Sequence, residues 1–287
     1  MNSNTGSGTG FSSLGGIVFA ILALIALYYL YQYLYSSSGM EGKTLITSVK
    51  PGNPDKGMIS LADALPAIYE GGEFSINTWI YINDYAINRG KNKAVFVLGG
   101  SSFATLAVFL GPYKNSLNIR VHTNNGNGPV AGNASMGPSS TAGSDDLSTA
   151  SLTTLFSGTQ TDASLTDTSR PCDISAVDMQ RWIQVTICLN NKTCDVYMDG
   201  KLARSCVLPS FYRVDKSNFA LTMAPYGGFG GFISNSSAYN YALNPEQVWR
   251  LYMAGPGPQY SLGDYIKSLF EPKAVGSMDF PKQNITA

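Results

Sequence analysis

The sequence predicts a mostly β domain behind one hydrophobic helix. Three observations carry this. Residues 14–35 read LGGIVFAILALIALYYLYQYLY, without a single charge. Residues 74–82, FSINTWIYI, alternate with period two and are rich in β-branched and aromatic side chains. Most of the remaining chain consists of short apolar runs divided by Gly, Pro, Asn and Ser, the punctuation of strands and turns.

The charge-free run comes first. It exceeds the ~20 residues needed to cross the hydrocarbon core of a bilayer. Tyr28, Tyr29, Tyr31, Tyr33 and Tyr35 crowd its C-terminal end, and tyrosine favours the membrane–water interface. A cleaved signal peptide is the rival reading, with Ser36 and Ser38 as small residues before a cut. It needs a basic n-region, and residues 2–13 hold no Lys or Arg. The expectation is a retained single-pass anchor in contact with lipid through 14–35. Lys43, Lys50 and Lys56 follow it, so the positive-inside rule places the C-terminal domain on the cytosolic side. Sequons at Asn133, Asn191, Asn235 and Asn284 point the other way. With 20 Asn and 51 Ser plus Thr in 287 residues, about 3.6 sequons arise by chance, so their count decides nothing.

Residues 1–13 are a polar Ser/Gly/Thr/Asn tail, and 36–43 a short linker. The β domain runs over 44–255. After the 74–82 strand, further strands are expected at Ala94–Leu98, Ala104–Leu110 and Ser116–His122. Residues 124–171 interrupt the rhythm as a long polar loop with Asp145, Asp146, Asp162 and Asp167. Their spacing fits no calcium-loop template. Strands resume at Trp182–Leu189 and Cys194–Met198, around a hairpin-length loop at 190–193. Asp199-Gly200 is a turn of the kind that accepts positive φ at both central positions. Lys201–Leu208, Phe219–Ala224 and Gly231–Ser234 follow. One helix closes the pattern. Asn244 is its N-cap, Pro245 sits at N1, Gln247 completes a capping box, and Gly255 ends it. The tail 256–287 carries Tyr260, Leu262, Tyr265, Ile266, Leu269, Phe270 and Phe280 between prolines.

Composition excludes several functions. Nineteen basic residues balance nineteen acidic ones, with no basic run, so nucleic acid is not an expected partner. The chain has one histidine, His122, so no multi-His metal site exists within it. Cys172, Cys188, Cys194 and Cys206 contain no C-x-x-C pair, and their pairing stays open. No metal and no cofactor are expected.

Three runs, taken in order, suggest a family. WIQVTICLNNKTCDVYMDGKLARS (182–205) resembles the hairpin of laminin-G-like, pentraxin-like and concanavalin A-like domains. FGGFISNSSAYNYALNPEQVWRLYMAG (229–255) resembles their last strand and closing helix, and EFSINTWIYIN (73–83) an early strand. The resemblance implies a jelly-roll sandwich of two antiparallel sheets. The paired acids of glycosidases on this fold are missing, since no Glu-x-Asp occurs. An acidic strand residue common in the family is also missing, where this chain reads GFISNS from Gly231. The first departure counts against a glycosidase, and the second counts against calcium-linked or lectin activity. A laminin-G-like domain behind a membrane helix is also similar to membrane-linked virion proteins of large DNA viruses.

Two functions are therefore expected. The first is a non-catalytic structural protein whose sandwich contacts a neighbouring protein layer, in the manner of a minor capsid protein joining an inner membrane to a shell. The tail residues from Tyr260 to Phe280 would be its contacts. The second is a membrane-anchored lectin that binds glycan through aromatics such as Tyr81, Tyr85, Tyr113 and Tyr226.

Overall fold

A computed structural model describes residues 10–35, 42–54, 57–123, 147–159 and 172–257. It divides into two units, Met1–Met40 and Glu41–Ala287. In the first, α1 is a 26-residue helix, Gly10–Tyr35, with no acid in its first turn and no base in its last. Its described residues stand exposed, apart from the half-buried Ala23, with Phe19 at 74% and Leu24 at 67%. Among the described residues no helix is long and apolar enough to cross a membrane.

The second unit holds two antiparallel sheets. The larger has the order β1 (Gly42–Ile46), β12 (Gly230–Tyr239), β4 (Glu73–Asp84), β8 (Trp182–Asn190), β9 (Thr193–Met198) and β10 (Lys201–Val207), with β2 (Lys50–Pro51) also paired to β12. The smaller has the order β3 (Met58–Leu61), β11 (Ala220–Met223), β5 (Lys93–Gly99), β6 (Ala104–Leu110) and β7 (Leu117–Val121). One core lies between them. Phe74, Ile76, Ile80 and Ile82 of β4, with Ile183, Val185 and Ile187 of β8, meet Phe96, Leu98, Leu106 and Val108 of the smaller sheet. Alternation along β4 and β8 sends Ser75, Asn77, Trp79 and Tyr81, and Trp182, Gln184, Thr186 and Cys188, to the opposite face.

Both outer faces carry a helix. On the larger sheet, α3 (Pro245–Ala254) begins with the expected capping box between Asn244 and Gln247. Its Val248 packs with Cys188, Tyr197 and Leu243. On the smaller sheet lies α2 (Thr149–Ser157), whose Leu152 and Phe156 pack on Ala94, Ala107 and Phe109. This corrects the reading of 124–171 as loop throughout: part of it is a helix that covers the smaller sheet. The strand β1 starts at Gly42, inside the expected linker. The expected strand from Gly231 to Ser234 extends to Tyr239 through a bulge at Asn235, which holds a left-handed φ of 43°. Asp145, Asp146, Asp162 and Asp167 lie outside the described residues.

Cys172 and Cys206 form a disulfide, while Cys188 and Cys194 are free and buried. Burial pushes the Cys188 thiol up to about 11. The sulfurs of Cys172, Cys194 and Cys206 lie within 4.8 Å of one another. Two of them are engaged in the disulfide, which removes them as thiolate donors to a metal.

Candidate binding face on the larger sheet

The outer face of the larger sheet divides in two. One part lies under α3 and rests on a buried polar layer. Asn77 Oδ1 accepts from Gln184 Nε2 at 2.8 Å and from Thr186 Oγ1 at 2.9 Å. Gln184 Oε1 accepts from the Gly200 backbone N–H at 3.0 Å. Ser75 accepts from Leu243 N–H at 2.9 Å and donates to the Tyr241 carbonyl at 2.8 Å. Asn77, Gln184, Thr186 and Ser75 thus find partners in one another, in the Gly200 turn and in the segment before α3, as burial in low dielectric requires.

The other part is an aromatic strip. Tyr81 on β4 stands directly across from Phe232 on β12 and from Trp182 on β8. Its ring centroid lies 6.2 Å from Phe232 and 5.6 Å from Trp182. Residues opposite one another in a sheet point to the same face, so three adjacent strands set three rings side by side. All three are half-buried. Pro51 of β2 continues the row beyond Phe232. Two residues along β4 on the same face, Trp79 stacks on Tyr252 of α3 at 5.7 Å and 15° between planes. Tyr252 meets Trp249, which is 44% exposed. All three tryptophans of the chain thus belong to this face. Trp79 is 4% exposed, and its Nε1 has no hydrogen-bond partner among the described residues.

At the Trp182 end the strip is edged by charge. Arg181 donates to Asp178 Oδ2 and Asp199 Oδ2, with ion-pair distances of 2.7 and 2.6 Å. The hydrogen bond to Asp199, with that to Asp178, keeps the guanidinium even more firmly protonated than usual. Asp199 also accepts from the Gln184 backbone N–H at 3.0 Å, which fixes its carboxylate.

The four aromatics expected from sequence separate. Only Tyr81 lies on the strip. Tyr85 packs against the core and donates to the Lys114 carbonyl at 2.8 Å, and its ring faces the Lys93 ammonium at 4.5 Å. It is therefore a packing residue rather than a sugar platform. Tyr226, at a left-handed φ of 57°, stacks on Phe156 of α2 at 4.8 Å, on the side of the smaller sheet. The Tyr113 hydroxyl lies close to the backbone of Gly90, in the loop after β4. Burial and cross-strand pairing, invisible in a local pattern, make these assignments. Trp182 and Phe232, which sequence reasoning missed, were marked only by their places on strands that pair with β4. Tyr260, Leu262, Tyr265, Ile266, Leu269, Phe270 and Phe280 lie outside the described residues.

His122 is structural: its Nδ1 accepts from the Leu147 backbone N–H at 3.2 Å, and its ring faces Phe103 at 4.5 Å. Arg120 and Asp173 form a buried pair at 2.6 Å behind β7, with Asp173 also accepting from Ile119 N–H.

No family model matches the chain, and no curated protein matches it. Among solved structures it is similar to the botulinum neurotoxin serotype D ligand-binding domain in complex with N-acetylneuraminic acid, at TM-score 0.46 and 14% identity, over 76% of this chain and 47% of that one. It is similar to domain 4 of a GH43 extracellular arabinanase from Geobacillus stearothermophilus in complex with arabinotriose, at TM-score 0.39 and 12% identity, over 76% and 91%. A third similarity is to Trypanosoma rangeli sialidase, at TM-score 0.36 and 12% identity, over 65% and 24%. The chain spans about half the length of the neurotoxin binding domains that it matches.

Proposed function

We propose that the chain is a membrane-anchored, non-catalytic binding module of concanavalin A-like, jelly-roll build, and that its strip of Phe232, Tyr81 and Trp182 takes a carbohydrate. The carrying observation is the register itself: three half-exposed rings from three adjacent strands, beside the part of the face on which α3 packs. Pyranose rings present flat C–H faces that pack on aromatic rings, and their hydroxyls need partners at the rim. Arg181, Asp178 and Asp199 supply donors and acceptors there.

The non-catalytic part rests on the same charges. Cleaving a glycosidic bond needs one carboxyl to give a proton and another to act as base or nucleophile. Asp178 and Asp199 both face one guanidinium as ion-pair partners, which suits holding a ligand more than proton donation. The anchor rests on α1, whose apolar side chains are exposed around the helix and need a nonaqueous cover. A role between an inner membrane and a protein shell would use the same strip together with 256–287.

The test is binding of the detergent-solubilised full chain to immobilised glycans. Saturable binding that free oligosaccharide competes away, and that Trp182→Ala removes, is expected. Binding to no glycan, with capture of a protein by the same strip, would replace this reading with the structural one.

A further inference from the structure

We infer that the β domain resides on the oxidising, non-cytosolic side of the membrane and that Asn191 is its N-linked glycan acceptor. This rests on the anchor reading of α1. Two independent observations support it.

The first is the Cys172–Cys206 disulfide, which ties the segment before β8 to the end of β10 with Cα atoms 5.5 Å apart. Disulfides form and persist in secretory and extracellular compartments and are rare in the cytosol. The cytosolic orientation was expected from Lys43, Lys50 and Lys56. Lys43 serves the fold instead: its ammonium donates to the carbonyls of Leu65 at 3.0 Å and Asp63 at 3.3 Å. Its charge is accounted for without a membrane surface.

The second observation separates the sequons. Asn235 is 3% exposed, sits in the β12 bulge, and spends its amide on the Gly255 carbonyl at 2.8 Å. A glycan on that amide would break the Gly255 contact and unseat the bulge, so the folded domain has no room for one. Asn191 is exposed at the tip of the β8–β9 hairpin, with a left-handed φ of 53°, and Lys192 beside it is exposed too. Among the described residues its Nδ2 donates to the neighbouring Asn190 Oδ1, at 2.7 Å. The sequon Asn191-Lys192-Thr193 is therefore presented on a turn, where a bulky polar group meets solvent. The hairpin tip and Trp182 lie at opposite ends of β8, about 27 Å apart by strand rise, so a glycan there leaves the aromatic strip open.

The modification joins Asn191 Nδ2 to the anomeric carbon of a polyprenyl-diphosphate oligosaccharide. The carbon–oxygen bond to the diphosphate breaks, the lipid diphosphate leaves with the electron pair, and the amide nitrogen gives up one proton to base.

The full chain carrying Asn133→Gln and Asn284→Gln is translated with microsomes. Carbonate-resistant protein with one glycosidase-sensitive shift is expected. Asn191→Gln should abolish the shift, and Ser237→Ala, which removes the Asn235 sequon, should leave it. Alkylation of the denatured, unreduced chain should label two cysteines, and four after reduction. Inserted but unglycosylated protein overturns the inference, as does labelling of four cysteines without reduction. Carbonate-extractable protein overturns the anchor reading itself, and this inference with it.

Discussion

Trp249 of α3 lies directly over Gly200: a Cβ built at Gly200 would stand 2.8 Å from the indole Cε3 and 3.1 Å from the Tyr252 Cβ. The glycine also holds φ at 75°, after Asp199 at 50°, so the turn between β9 and β10 has positive φ at both central residues. Turn and helix thus share one requirement. Gly200→Val should lose about 1–3 kcal/mol from backbone strain alone, and more as the ring is displaced. Urea unfolding of the detergent-held chain measures it. An unchanged midpoint would refute both the turn and the seating of α3.

Lys93 is fully buried, yet its ammonium donates to the carbonyls of Asn88, Pro112 and Lys91 at 3.1, 3.1 and 3.3 Å, and lies over the Tyr85 ring. It ties the loop after β4 to the turn after β6. Lys93→Met leaves three acceptors without that donor and should cost about 2–4 kcal/mol. A stability within 0.5 kcal/mol of the parent would show that water replaces the ammonium.

The same lysine gives a pH signature. Burial pushes Lys93 down to about 8, while an unfolded lysine titrates near ~10.4. Between these values the unfolded chain holds more protons, so stability rises with pH through that window. Cys188, pushed up to about 11, works in the opposite direction above the usual thiol range. The parent minus Lys93→Met difference isolates the lysine. Melting temperatures from pH 7 to 10 should show the parent gaining on the variant from pH 8 upward; a flat difference would contradict the shift.

Much of this architecture is legible in the sequence because the signals are local. The alternation through Phe74–Ile82, the Asp199-Gly200 turn and the Asn244–Gln247 box each need only a few consecutive residues, and each forms as expected. The aromatic strip does not work that way. Tyr81, Trp182 and Phe232 come together through register between distant strands, and no local pattern encodes register. The helix α2 was hidden for another reason. TASLTTLFS is rich in Thr and Ser, poor helix formers. It forms because Ser148 caps it and because Leu152 and Phe156, one turn apart, find the apolar face of the smaller sheet.

On the strip, Tyr81→Ala and Trp182→Ala should each weaken glycan binding about tenfold or more, the equivalent of ~1.4 kcal/mol, with little change in melting temperature. Tyr226→Ala, on the other side of the sandwich, should leave binding unchanged. Titration calorimetry with a bound oligosaccharide compares the three. Equal losses in all three would mean that the strip is not the site.

The chain beyond α3 gives the last prediction. The Gly255 carbonyl accepts from Asn235 Nδ2 at 2.8 Å, and the Pro256 carbonyl accepts from Ser234 Oγ at 2.5 Å. Both contacts fasten the end of α3 to β12 beside Trp79, so a truncation after Gly255 would cut into the fold. Truncation after Gly257 keeps every contact described for the sandwich, including the capping box, the Trp79–Tyr252 stack and the polar layer around Asn77. Its stability should stay within about 0.5 kcal/mol of the parent, as for changes outside the packed core. Residues 258–287 carry Tyr260, Leu262, Tyr265, Ile266, Leu269, Phe270 and Phe280, large apolar groups that gain about 1.5–3 kcal/mol each when buried. If they serve a partner, the truncated chain loses co-purifying protein while keeping its melting temperature and its glycan binding. A marked drop in melting temperature with the same partners would assign the tail to the sandwich and remove the support for a clamp.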